Sequence, residues 1–258
     1  VHVVRRGTGK PLLMVHGLGS SLHNWDRVVP ALESERELVL IDLPGFGQTP
    51  PLAGEASFSA LTDALAQFVA SEGLEHVDVV GSSMGARMVV ELARRGHVGT
   101  TIALDPGGFW SDRQAKVFGA SIKASVALVR RIQPLLPALT SSPVGRTALL
   151  AQFSARPWAL PAELVLTELR GFDASPSLDA ALRSLVDGPR QQGAPAGALA
   201  GNLALVWGKQ DRVTLPSQAQ TAVRLFPDAS LRLLDGCGHF PHWDQPEQTV
   251  RLILDATT

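Results

Sequence analysis

The sequence predicts an α/β protein: a mostly parallel twisted sheet with helices on both faces. Three observations lead there. Short apolar runs bounded by turn residues recur over residues 12–104 and again after 203, and segments with helical periodicity lie between them. A chain of 258 residues also buries enough surface to fold without disulfide or metal staples.

Taken in order, 12–15, 38–43, 77–81 and 101–104 are the apolar runs and read as buried parallel strands. Residues 57–71 and 84–95 place apolar side chains at three- and four-residue spacing and read as helices. From about 106 to 201 no β-branched run occurs. Ala, Leu and Arg are instead cut by prolines at 134, 137, 143, 157, 161, 176, 189 and 195, which predicts several short helices inserted into the sheet domain. The stretch 188–201 (GPRQQGAPAGALAG) reads as a flexible return linker. The α/β rhythm then resumes with a strand at 203–207, a helix near 217–225, a strand at 231–234 and a last helix near 247–255. The predicted division is a core of 1–106 and 201–258 with a helical lid at 107–200.

Composition removes several functions. Lys and Arg number 23 against 24 Asp and Glu, a net charge of -1 that lacks the basic excess needed to hold a phosphate backbone, so no nucleic-acid partner is expected. The single cysteine, Cys237, makes neither an intramolecular disulfide nor a cysteine-rich zinc site. With no tyrosine, no phenol serves as acid, nucleophile or oxyanion donor. No run of about 18 apolar residues predicts a membrane span, and the N-terminal residues lack a signal-peptide core. The expectation is a cytoplasmic protein, one that an already removed N-terminal signal would change; oligomeric state is not legible.

The chemistry concentrates in Val79-Val80-Gly81-Ser82-Ser83-Met84-Gly85-Ala86, a strand running through G-x-S-x-G into a helix. Glycines at 81 and 85 permit a sharp reversal that leaves Ser83 projecting at a helix N-terminus, where N–H groups favour negative charge. Ser83 is the expected nucleophile, with Ser82 as the rival. A serine hydroxyl needs a base, and the base an orienting acid. His239, in the glycine-rich loop Gly236-Cys237-Gly238-His239-Phe240, is the expected base and His242 its rival. His16 is expected to organise its own turn by hydrogen bonds, and so is Asp42. Asp211 follows a predicted strand and is the expected acid; Asp105, at another strand end, is the alternative. The order Ser, Asp, His matches that of α/β-hydrolase triads.

The sequence resembles the α/β-hydrolase fold superfamily, in its branch of small lidded serine hydrolases. The resemblance rests on HGLGSS (16–21), DLPGFGQT (42–49), GSSMGA (81–86), WGKQDRV (207–213) and GCGHFPHWDQPE (236–247). It implies the α/β-hydrolase fold with the lid inserted after the sixth strand of that fold, residues 1–6 resembling the second strand. It implies Ser83, Asp211 and His239 as the triad and an oxyanion hole from the backbone N–H groups of Leu18 and Met84. No metal and no cofactor is implied. Ser83 stands where haloalkane dehalogenases and epoxide hydrolases carry a carboxylate, which disfavours both. Ser82 and Phe240 stand where hydrolases of ring-cleavage dienones usually carry Asn and Trp. Hydroxynitrile lyases typically carry a lysine near the histidine, and no lysine follows Lys209.

The expected activity is that of a carboxylesterase acting on a small to medium hydrophobic ester. The alternatives are a C–C bond hydrolase of a vinylogous diketone acid and a non-catalytic small-molecule binder. Pocket candidates are Trp25, Ser82, Phe109, Trp110, Phe153, Trp158 and Phe240, with Phe118 and Phe172 adding to the aromatic surface of the lid. Basic side chains outnumber acidic ones across the lid, which reads as a solvated helix face.

Overall fold

The computed structural model describes residues 1–257. Seven strands, β1 (His2–Arg6), β2 (Pro11–Val15), β3 (Glu37–Asp42), β4 (Asp78–Ser82), β5 (Thr101–Leu104), β6 (Leu203–Gly208) and β7 (Ser230–Leu234), form one sheet in the order β1-β3-β2-β4-β5-β6-β7. All neighbours are parallel except β1, which runs antiparallel along β3 with His2 opposite Asp42.

The strands are apolar because both faces are covered. Leu13, Val15, Val39, Ile41 and Val79 enter the core on one face, while Leu12, Met14, Leu38, Leu40 and Val80 enter the core on the other. This is the two-residue period of a strand buried on both sides. The parallel connections require crossovers, which the helices supply. Following the short α1 (Val29–Leu32), α2 (Phe58–Ser71) links β3 to β4 and α3 (Met84–Arg94) links β4 to β5. Leu61, Leu65 and Phe68 of α2 pack in the first core with Met88 and Leu92 of α3. The Ser57 hydroxyl caps α2 by accepting from the Ala60 N–H.

Between β5 and β6 lie α4 (Asp112–Arg131), α5 (Leu136–Ser141), α6 (Pro143–Leu150), α7 (Ala162–Ala174) and α8 (Leu178–Asp187). The expectation of short helices holds for α5 and α6 but not for α4, which runs 20 residues behind a Ser111/Gln114 capping box. The prolines that suggested short pieces begin only at 134. Nor is 188–201 a free linker. Gln191 donates to Gly108 O, Ala194 to Leu225 O and Gly197 to Asp228 Oδ2, so the return segment is pinned against the sheet domain.

The C-terminal part adds α9 (Ala219–Leu225), the single turn α10 (Pro241–Asp244) and α11 (Pro246–Thr257). Ile253 of α11 enters the second core. Among the described residues no helix is long and apolar enough to cross a membrane.

Candidate functional site

β4 ends at Ser82, α3 begins at Met84, and Ser83 between them is held at φ 56, ψ −112. A non-glycine residue at positive φ costs about 1–3 kcal/mol and persists only where its surroundings enforce it. Here the flanking glycines do so. A Cβ on Gly81 would lie 2.5 Å from the Gly85 carbonyl oxygen, and one on Gly85 would lie 2.3 Å from His16 O. No side chain fits at either position. Ser83 N–H donates to Leu104 O at 2.9 Å, which ties the turn to β5.

The loop after β7 brings in His239, whose N–H donates to Phe153 O at 2.8 Å. Its Nε2 lies 2.8 Å from Ser83 Oγ, and its Nδ1 lies 2.9 Å from Asp211 Oδ2. Asp211, just beyond β6, is fixed by its own turn: Oδ1 accepts from Val213 N at 2.7 Å and Thr214 N at 3.1 Å, and Oδ2 accepts the Thr214 hydroxyl at 2.7 Å. Burial pushes this carboxyl up, but His239 and hydrogen bonds from His239, Asp105 and Thr214 outweigh it and leave its pKa below the ordinary value. The geometry can pass a proton from Ser83 to His239 and hold the resulting imidazolium against a carboxylate.

Asp105, at φ 47 beyond β5, is the second carboxyl of this cluster. Its Oδ1 accepts from Gly208 N at 2.9 Å and its Oδ2 has no hydrogen-bond partner. Burial first, then the Asp211 charge, raises its pKa well above the usual carboxylate range. It lies beside Asp211, and it is Asp211 that meets His239 Nδ1. Asp105, Asp211 and His239 lie close enough together to suggest an ion site. The donor atoms of Asp211 and His239, however, are engaged with one another and with the Val213–Thr214 turn.

His16 and Asp42 do what their turns required. His16 Nε2 accepts from Leu43 N at 3.0 Å, and Asp42 accepts from Leu22 N and Gln48 N. Leu18 and Met84 both line the cavity beside Ser83. Met84 opens α3, where N–H groups have no intrahelical acceptor.

The cavity over Ser83 is walled mainly by apolar side chains. Trp110, Phe118, Phe153, Phe172, Phe240 and Trp243 supply the aromatic part, so three of the pocket candidates, Trp110, Phe153 and Phe240, lie where expected. Four do not. Trp25 is fully buried and packs on His242 with ring centroids 4.6 Å apart. Ser82 is buried at the end of β4 and does not line the cavity. Phe109 packs edge-on against Trp207 and Phe226 in a separate core cluster. Trp158 is 53% exposed beside Arg212, outside the cavity. His242 is no rival base: its Nε2 meets Asn24 Oδ1 at 2.8 Å.

The one carboxylate that the described residues place on the cavity wall was not among the pocket candidates read from the sequence. Glu168 of α7 lines the wall and is only 6% exposed. The signal was present, because Glu168 shares a helical face with Leu164, Val165 and Phe172.

Residues 12–252 match the model of the Alpha/beta hydrolase family. A 2-hydroxy-6-oxononadienedioate/2-hydroxy-6-oxononatrienedioate hydrolase of Pseudomonas putida is 28% identical over 95% of this chain and 86% of its own length. The dihydrolipoyllysine-residue acetyltransferase component of the acetoin cleaving system of the same species is also 28% identical over 95% of this chain, which spans only 63% of that protein. In structure, a thermophilic esterase from Thermogutta terrifontis superposes with a TM-score of 0.76 at 21% identity, over 98% of this chain and 91% of that one.

Proposed function

The chain belongs to the alpha/beta hydrolase family, and on that premise we propose that it is a carboxylesterase cleaving a small to medium hydrophobic ester through an acyl-enzyme on Ser83. The observation that carries this reading is the unbroken pair of contacts, Ser83 Oγ to His239 Nε2 at 2.8 Å and His239 Nδ1 to Asp211 Oδ2 at 2.9 Å. His239 takes the Ser83 proton as Oγ attacks the ester carbonyl, then gives it to the departing alkoxide, which leaves as the alcohol. Water, deprotonated by the same imidazole, attacks the acyl-enzyme; the acid departs and Ser83 regains its proton. The N–H groups of Leu18 and Met84 meet the oxyanion in both halves, each such donor contributing roughly 3–4 kcal/mol to the transition state. The helices α4 to α8 act as the lid, with Phe118 and Ile122 of α4 among the apolar side chains of the acyl site.

C–C bond hydrolysis is the second reading, favoured by the Pseudomonas putida relative whose name specifies a dienedioate. A dienedioate carries two carboxylates, yet the cavity wall includes no Lys or Arg among the described residues and does include Glu168. That wall supports an uncharged ester. Ser83→Ala should lower turnover of p-nitrophenyl esters at least about a thousandfold. Near-normal turnover in that variant would refute the assignment, and faster cleavage of a dienoate than of any ester would hand the site to the second reading. A protein that only binds small molecules would leave Ser83 unreactive towards a fluorophosphonate.

A further inference from the structure

Glu168 is the one Asp or Glu side chain on the cavity wall, among the described residues, and the proposed reaction does not use it. Its surroundings determine what it can offer. Asn24 Nδ2 donates to Glu168 Oε2 at 3.3 Å, whereas Oε1 is buried with no hydrogen-bond partner. Ser20 and Leu169 border the same wall.

Asn24 cannot turn its amide round. Its Oδ1 faces His242 Nε2 at 2.8 Å, and its backbone carbonyl accepts from Trp243 Nε1 at 3.0 Å. Burial, helped by the charges of His239 and Arg27, pushes His242 down to about 3, so the ring is neutral. His242 Nδ1 has no partner, so the ring proton sits on Nε2 and donates to Asn24 Oδ1. The amide NH2 is thereby left facing Glu168. Burial pushes the Glu168 carboxyl up to about 8, opposed by the nearby Ser20 and Asn24 side chains and with some help from the Asp26 charge. At neutral pH it is therefore mostly protonated. Since Oε2 already accepts from Asn24, the proton belongs on Oε1, a buried donor without an acceptor.

We propose that Glu168 is a specificity-determining residue, donating a hydrogen bond from Oε1 to a carbonyl, hydroxyl or ether oxygen on the uncharged ester that fills the cavity. The proposal deepens the esterase reading and rests on it. The relay His242, Asn24, Glu168 orients one donor in an apolar wall, and such a site rejects an analogue that lacks the matching oxygen.

The test compares p-nitrophenyl hexanoate with 4-oxo, 5-oxo, 4-oxa and 5-oxa counterparts, each rate corrected for uncatalysed hydrolysis. At least one oxygen-bearing ester should show a kcat/KM about tenfold above the parent, mainly through KM. Glu168→Gln, whose amide also donates, should keep that preference; Glu168→Leu and Glu168→Met should bring the ratio to within about twofold of unity. Equal losses on both ester types in the apolar variants, or no oxygen preference in the unaltered enzyme, would overturn the proposal. The second outcome does so even if neither apolar variant folds. A preference for amino-substituted hexanoates would overturn the neutral-donor assignment. Ester turnover without oxygen selectivity would remove only this inference. Absent turnover together with an unlabelled Ser83 in a fluorophosphonate assay would remove the esterase reading and this inference together.

Discussion

The two buried carboxyls beside His239 should respond to the same substitution by very different amounts. In Asp211→Asn the amide has one acceptor to place and two sides to satisfy. Oδ1 of the native residue accepts two backbone N–H groups, from Val213 and Thr214, whereas Oδ2 meets His239 Nδ1 and the Thr214 hydroxyl. Turning the NH2 towards two N–H donors costs more than turning it towards one ring nitrogen, so the oxygen stays on the backbone side. The NH2 then faces Nδ1 and forces the ring proton to Nε2, the nitrogen that must accept from Ser83 at 2.8 Å. The wrong tautomer and the lost carboxylate together should cost about 10⁴ in kcat, the scale known for this change in serine triads. Asp105→Asn keeps a carbonyl that accepts from Gly208 N and leaves the Asp211–His239 contact untouched, so kcat should fall less than about tenfold. Steady-state turnover of p-nitrophenyl butyrate, with active sites counted by a fluorophosphonate and folding checked by thermal melting, measures both. A loss above about a hundredfold for Asp105→Asn, or below about tenfold for Asp211→Asn, would refute the division of roles.

Two other groups make stability depend on pH with opposite signs. His242, lowered to about 3 from its ordinary 6.5, stays neutral in the fold while the unfolded chain takes up a proton. Stability is therefore lost as pH falls from 6.5 towards 3, by roughly 4 kcal/mol if the shift is fully expressed, and His242→Gln should lose less in urea unfolding at pH 4 relative to pH 7. Glu168, raised to about 8 from 4.5, holds a proton that the unfolded chain releases, so its contribution falls as pH rises through that window. Glu168→Gln should gain on the unaltered protein between pH 5 and pH 8; an unchanged difference at the two pH values would contradict a buried neutral acid. Cys237 is fully buried, and burial followed by the charges of Asp105, Asp244 and Asp211 pushes its thiol well up. Iodoacetamide should leave it unmodified and the enzyme active in the native state and alkylate it once unfolded, as mass spectrometry would show.

The strands were legible because being buried on both faces leaves little choice of residue: Leu12 to Val15 are all fully buried, and such a run has no polar alternative. The sharp turn at Ser83 was legible for a similar reason. The requirement at Gly81 is local, since the atoms that exclude a Cβ there belong to Gly85 and Ala86, only a few residues along. The choice of acid was partly legible. Both aspartates end strands, and what separates them is the Thr214 hydroxyl and the two N–H groups that Asp211 collects three residues or fewer downstream, in a turn the sequence spells as Asp-Arg-Val-Thr. The length of α4 was not legible from proline counting, because prolines outside a segment say nothing about how far the helix before them runs.

The cavity was read least well, and the reason is directional. Aromatic composition says that a side chain will be buried but not against what, and the sheet domain competes with the cavity for each ring. Phe109 and Trp110 are neighbours in sequence, yet Phe109 joins Trp207 and Phe226 while Trp110 stacks on Phe118 at 4.7 Å and lines the cavity. Glu168 was passed over for the converse reason. Summing charges over the lid treats every carboxylate as solvated, whereas the helical period places this one on a face with Leu164, Val165 and Phe172. An apolar stripe interrupted by a single acid is either a burial penalty or a recognition point. Here Asn24 satisfies one oxygen and leaves the other, on a residue that lines the cavity, without a partner, and that asymmetry is the physical argument for recognition.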